Sequence, residues 1–207
     1  MNSIYTIGYS GFSIEQFISI LNRYEIKCVI DVRSNPISNH YIEYNKEILE
    51  KTLAKSDILY RNYAVQFGAR QENQRYFTDG YLDFTKFVKS DMFLDGVKKI
   101  NAGINQNYSF VLMCAEKDPI TCHRCIMIGR TFYEDGYKVN NILSNGSIEL
   151  QSQSEQRLLN YYFPNRNQIS LFDDGLNEKE MIAISYQLRN KEIGYRLSEK
   201  ESAYLYG

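Results

Sequence analysis

Two rhythms of apolar residues run along this chain. Ile4-Tyr5-Thr6-Ile7 reads as a short strand, and Gly8-Tyr9-Ser10-Gly11 as the turn feeding a helix capped by Ser13, with Gln16 in the capping-box position. From about Ile14 to Tyr24, the residues Ile14, Phe17, Ile18 and Leu21 recur at i, i+3, i+4 and i+7, the stripe of a helix laid on a sheet. Cys28-Val29-Ile30-Asp31-Val32 is an apolar run broken by one acid, which predicts a strand covered on both faces. Strand, helix and strand in succession predict a right-handed parallel unit.

Past Arg33 a polar stretch with Asn35, Pro36, His40, Tyr41 and Tyr44 leads into a helix from about Lys46 to Lys55, and Ile58-Leu59-Tyr60 reads as a third strand. Phe84 to Ile100 fits one long amphipathic helix, loosely in its middle, where Asp91 and Gly96 weaken the pattern. Tyr108 to Met113 is the clearest strand. It is followed by a helix from about Cys122 to Glu134 ended by Gly136, a strand over Lys138 to Leu143, and a helix near Ser154 to Tyr162 stopped by Pro164. The succession predicts an α/β fold, a Rossmann-like three-layer sandwich with a mostly parallel central sheet. Its core spans 1–163, with a linker over 164–177 and a peripheral helical tail over 178–207.

Charge and composition narrow the function. The 207 residues carry 24 Lys+Arg against 25 Asp+Glu, so bulk basicity does not drive polyanion binding, and any such role needs a local patch. The segment with Arg61, Tyr63, Phe67, Gly68, Arg70, Arg75 and Tyr76 is the best candidate. No stretch approaches the roughly 18 apolar residues of a membrane helix, and the N-terminus lacks signal-peptide regions, so the expectation is a cytoplasmic protein without membrane partners. No dinucleotide fingerprint or Walker loop is present. Of the 18 tyrosines, Tyr9, Tyr41 and Tyr63 are placed to stack on a base, although filling a core is the commoner use of such rings.

Of four cysteines (Cys28, Cys114, Cys122, Cys125), three fall within twelve residues, which suits a site rather than a disulfide framework. Cys114 ends a buried strand and faces the next helix, where the dipole and Arg124 or His123 would stabilise a thiolate, so Cys114 or Cys122 is a candidate nucleophile. The same elements suit an anion site, with Arg124 holding phosphate or carboxylate and Glu116 or Asp118 as general acid or base. A cysteine phosphatase loop sets its Arg nearer its Cys than the ten residues separating Cys114 from Arg124, so that reading fails. Zinc is the less favoured reading and no cofactor is expected. No paired C-x-x-C motif exists, and Cys122 and His123 as helix neighbours would diverge. Cys28 and Cys125 read as small core residues. Asp31 and Arg33 alternate onto one face and predict an ion pair, which either orders the loop as a structural pair or leaves Asp31 to orient a group while Arg33 receives phosphate.

Thr6-Ile7-Gly8-Tyr9-Ser10, Asp31-Val32-Arg33-Ser34-Asn35-Pro36, Phe67-Gly68-Ala69-Arg70 and Cys114-Ala115-Glu116-Lys117-Asp118-Pro119 with Cys122-His123-Arg124 occur in this order. They resemble the bacterial and archaeal "domain of unknown function 488" family over about residues 3 to 163. Tyr9 stands where that family frequently has His, and Ala69 where Gly is frequent. The resemblance implies an α/β fold and a polar site built from those motifs, with enzymatic activity but no settled reaction. Separately, Gln168-Ile169-Ser170-Leu171-Phe172 resembles the peptide by which bacterial polymerases and repair proteins bind the replicative sliding clamp, with Gln168 for polar contacts and Leu171 and Phe172 for a pocket. The alternative is that its apolar residues pack onto the domain.

The leading expectation is an enzyme, a hydrolase or transferase acting on DNA or a nucleotide-like anion, recruited by the clamp. Cys114, Glu116, Cys122, His123, Asp31 and Ser10 would be its catalytic groups, and Tyr9, Arg33, Asn35, Arg70 and Arg124 would hold the anion. A non-catalytic nucleotide-binding module and a zinc-stabilised structural protein are the contrasting readings.

Overall fold

The computed structural model describes residues 3–166 and 175–197. Strands β1 (Ser3–Gly8) and β2 (Cys28–Asp31) flank helix α1 (Ile14–Arg23), whose Ser13 and Gln16 close the expected capping box. Helix α2 (Lys46–Ala54), β3 (Leu59–Asn62), the single turn α3 (Ala64–Phe67) and a small antiparallel pair, β4 (Phe77–Thr78) with β5 (Tyr81–Leu82), follow. Then come α4 (Phe84–Phe87), α5 (Asp91–Asn105), β6 (Phe110–Cys114), a π-helical segment Arg124–Gly129, α6 (Arg130–Glu134), β7 (Lys138–Ile142), β8 (Ile148–Leu150), α7 (Gln151–Tyr162) and α8 (Glu178–Ile193).

The main sheet has the order β3-β2-β6-β1-β7-β8 and is parallel except for β8. Strand alternation divides the apolar residues between its faces. Ile4, Cys28, Ile30, Val32, Phe110 and Leu112 join the cluster under α5, α6, α7 and α8, whereas Ile7, Val29, Val111 and Met113 join the one under α1 and α2. That is a three-layer α/β sandwich. No helix among the described residues is long and apolar enough to cross a membrane.

Several elements differ from the expectation. The single helix over 84–100 is two, because Ser90 accepts a hydrogen bond from Phe93 N and starts α5 afresh. Gly96 there is an interface residue. A Cβ on it would lie 2.7 Å from the Phe67 ring, so its absence lets α3 and α5 meet. The helix expected from Cys122 starts late, since Cys122 is extended and the chain then enters the π segment. The edge strand β8 was not foreseen, and α7 begins at Gln151 rather than Ser154.

Residues 178–193 are not peripheral. Tyr186 of α8 is 1% exposed, its hydroxyl accepting from Gln151 and donating to Glu155, and Asn190 bonds the backbone of Leu82 and Phe84. Its apolar and hydrogen-bonding groups complete the α7 face of the sheet.

Candidate functional site

The chain leaves β1 and β2 over one face of the sheet, through α1 and α2, but leaves the intervening β6 over the other, through the π segment and α6. Neighbouring strands whose connections part in this way open a crevice at their carboxyl ends. A cleft of about 380 Å³ lies there, lined by Tyr9, Arg33, Asn35, Arg70, Cys114, Glu116 and His123 among others. The β1 and β6 ladder runs on into the loops, Tyr9 N donating to Cys114 O and Ser10 N to Ala115 O, both at 3.0 Å. Gly8 permits this closeness, because a Cβ there would sit 1.8 Å from the Glu116 carbonyl oxygen.

One wall is cationic. Asp31 is fully buried at the end of β2 and accepts from Arg33 N, Nε and Nη2 and from the Tyr60 hydroxyl, the shortest at 2.6 Å. The ion pair expected from alternation is present, and burial together with the Asp31 charge pushes the Tyr60 hydroxyl up. Arg33 Nη2 also donates to Tyr44 O, while its Nη1 makes no hydrogen bond among the described residues. Its guanidinium lies 5.0 Å over the Tyr9 ring, which stacks on Tyr44 at 4.3 Å. Arg70 is exposed, its N–H held by Ser34 Oγ at 2.8 Å and its guanidinium over Tyr195.

The other wall holds the thiols. Cys114 Sγ and Cys122 Sγ each lie 3.9 Å from His123 Nδ1. Cys122 is extended and His123 helical, and that change of backbone turns two consecutive side chains to the same side, against the divergence expected of helix neighbours. His123 Nε2 is 3.1 Å from the Val32 carbonyl, which can only accept, so Nε2 carries a proton and Nδ1 faces both sulfurs. Glu116 is exposed as a residue, but its carboxylate turns inward to 2.8 Å from Cys122 Sγ. Its ionisation follows that buried end: burial first, then the charge on Cys122, raises its pKa.

Beneath the thiols lies Arg124, 0% exposed, with Nη1 on the Glu116 carbonyl at 2.7 Å and with Nε and Nη2 unpartnered among the described residues. Burial opposes ionisation of Cys122, but its hydrogen bond with Cys114 and the charges of Arg124 and His123 prevail and hold its thiol well below the ordinary range. Cys114 moves the opposite way, through its hydrogen bond with Cys122 and its own burial. His123 would be lowered by burial, yet the Cys122 charge raises it. A guanidinium so buried, with no carboxylate in salt-bridge contact among the described residues, needs an anion nearby, and the Cys122 sulfur is the charge that acts on it most strongly.

Of the residues proposed from sequence, Tyr9, Arg33, Asn35, Arg70, Cys114, Glu116 and His123 share the cleft wall. Asp31, Cys122 and Arg124 form the layer behind it, each buried. Arg124 therefore positions the loop and its charge rather than reaching into the cleft. Ser10 does not line the cleft, its backbone serving the β1–β6 ladder. Asp118 caps the turn before Cys122 and pairs with Arg157. Tyr9 offers no open ring for a base, being already covered by Tyr44 and Arg33, and Tyr63 lies elsewhere, in a hollow between the β3 side of the sheet and α5. The basic segment does not form one patch: Arg61 lines that second hollow, Arg75 hydrogen-bonds Tyr76, and only Arg70 reaches the cleft. Cys28 and Cys125 are buried, and burial pushes the Cys125 thiol up to about 12. Gln168, Leu171 and Phe172 lie outside the described residues.

Sequence reasoning missed Tyr60, Tyr44 and Tyr195. Their distance along the chain from Asp31, Arg33 and Arg70 leaves no local signal, whereas Ser34 sat inside a motif already singled out.

No curated protein and no solved structure matches the chain. The family model described as "Domain of unknown function DUF488" matches residues 13–130, more than half of the sequence, and takes in both the Asp31–Arg33 and the Cys114–Arg124 segments. The chain whose cleft joins those segments belongs to the DUF488 family.

Proposed function

We propose that this protein is an enzyme that takes a small phosphate- or carboxylate-bearing substrate, nucleotide-like in its anionic group, and carries out hydrolysis or group transfer at the carboxyl end of β6. The observation that carries the reading is the convergence in one cleft of Arg33 and Arg70 with Cys114, His123 and Glu116. Guanidinium groups bind oxyanions by paired, charge-assisted hydrogen bonds, and the exposed Arg70 brings one to the cleft beside Arg33. A carboxyl group whose pKa is raised by burial and by the Cys122 charge gives the opposite wall a group able to carry a proton. Paired cationic and acid–base walls serve chemistry better than retention alone.

Calorimetric titration with inorganic phosphate, pyrophosphate and a mononucleotide tests the reading. Wild type binds at least one of them, and Arg70→Ala weakens binding roughly 10- to 100-fold while leaving the circular dichroism unchanged. A folded wild type that binds none of the three overturns it. The narrower placement in DNA replication or repair is supported only by the sequence Gln168-Ile169-Ser170-Leu171-Phe172. Its counterpart test is sliding-clamp binding that disappears in a Leu171→Ala, Phe172→Ala double variant.

A further inference from the structure

We infer that Cys114, Cys122 and His123 form a binding site for a soft divalent cation of the zinc class, open on its fourth side to the cleft. The inference deepens the reading above by naming what the thiols hold, and it rests on that reading only for the use of the open side.

Geometry carries the argument. One ligand atom from each of the three residues lies within 4.8 Å of the other two, and all three residues are buried. Both sulfurs are 3.9 Å from the same nitrogen, His123 Nδ1. Tetrahedral zinc, with bonds of about 2.3 Å to sulfur and about 2.0 Å to nitrogen, sets sulfur and nitrogen about 3.5 Å apart and the two sulfurs about 3.8 Å apart, so the S···N contacts need a few tenths of an ångström and the sulfur pair, which lies within 4.8 Å, at most about 1 Å of closure. A lone S–H···N bond would draw one sulfur in and leave the other out, whereas equal spacing suits shared coordination.

The surroundings agree. His123 Nε2–H donates to the Val32 carbonyl, the contact that metal-binding histidines use to fix the ring and present the other nitrogen. Coordination takes both cysteines as thiolates, and a divalent cation offsets their two negative charges, so the buried set closes without net charge among the ion and its three ligands. Thiolate and imidazole donors select zinc-class ions over magnesium or calcium. Three protein ligands leave a position open, and Cys114, Glu116 and His123 all border the cleft, so an oxyanion held by Arg33 and Arg70 would meet the cation there and be polarised by it.

The test uses the full chain, purified under reducing conditions and loaded with cobalt(II). The expected result is about one cobalt per chain with sulfur-to-cobalt charge-transfer absorption in the near ultraviolet, and binding weakened roughly a hundredfold or more in Cys114→Ser, Cys122→Ser and His123→Ala. A measurement on wild type alone guards against variants that fail to fold: zinc should protect Cys114 and Cys122 from iodoacetamide, read by peptide mass spectrometry, with Cys28 labelled equally with and without zinc. No charge-transfer band, or no protection, overturns the inference. Arg70→Ala keeps the cobalt spectrum. Phosphate binding without cobalt binding overturns the metal site alone, and cobalt binding without phosphate binding overturns the anion reading alone.

Discussion

Gly8 shows how a single atom governs the site. The Glu116 carbonyl occupies the space where a side chain would begin and is held there by Arg124, so adding one methyl must push apart β1 and the loop that carries the thiols. Gly8→Ala should cost roughly 2 kcal/mol or more, read by urea unfolding. A variant within about 0.5 kcal/mol of wild type would show that the loop yields freely. Arg33 and Arg124 are alike in sequence but differ in use. The first lines the cleft and is paired with Asp31, while the second is sealed beneath the sulfurs with no carboxylate partner among the described residues. Alternation was enough to foresee the Asp31–Arg33 pair, two residues apart on one strand end. It could not foresee Tyr60, whose hydroxyl reaches Asp31 from the neighbouring strand.

Among the elements, those whose information is local were readable: the α1 capping box, the unbroken apolar run of β2, and the strand entering the cysteine loop. The region from Phe84 to Ile100 was less so, because polar side chains there serve as caps rather than as breaks in one helix. Asp83 caps α4, accepting from Thr85 N and from the Thr85 and Thr78 hydroxyls. Burial would raise its pKa, but those hydrogen bonds prevail and lower it. A carboxyl group lowered on folding contributes stability above its unfolded pKa of about 3.9 and loses that contribution as pH falls through the folded value. Asp83→Ala should therefore cost about 1 kcal/mol in urea unfolding at pH 7, and the difference from wild type should shrink below about pH 4. A pH-independent difference would assign the cost to packing. The π segment is the other local departure: its six residues are all buried, so a helix was legible there while its winding was not.

At the scale of the whole molecule, the C-terminal helix ties the site's surroundings together. Tyr186 packs under the Arg130 guanidinium at 4.2 Å and bonds Gln151 and Glu155, and the backbone after α8 pairs Leu82 N with Tyr195 O, which brings Ile193 and Tyr195 to the cleft. Tyr186→Ala should lose roughly 3 to 5 kcal/mol of stability. Phosphate binding should weaken with it if the cleft wall depends on α8. Full stability in that variant would restore the reading of this segment as an appendage.

What the sequence determined by itself was the class of fold and the motifs whose residues meet along the cleft. Strand and helix periods, caps and the order of motifs are carried by neighbouring residues, and local backbone physics reads them directly. Only the tertiary structure decided how those residues are arranged. It covers Tyr9 with Tyr44 and buries Arg124, and it turns Cys122 and His123 to one side. It also disperses the basic segment and sets α8 into the core. Those outcomes depend on which strands lie side by side and on which face each connection crosses. Both are settled by burying apolar surface between residues far apart in the chain, and no short stretch of sequence records them.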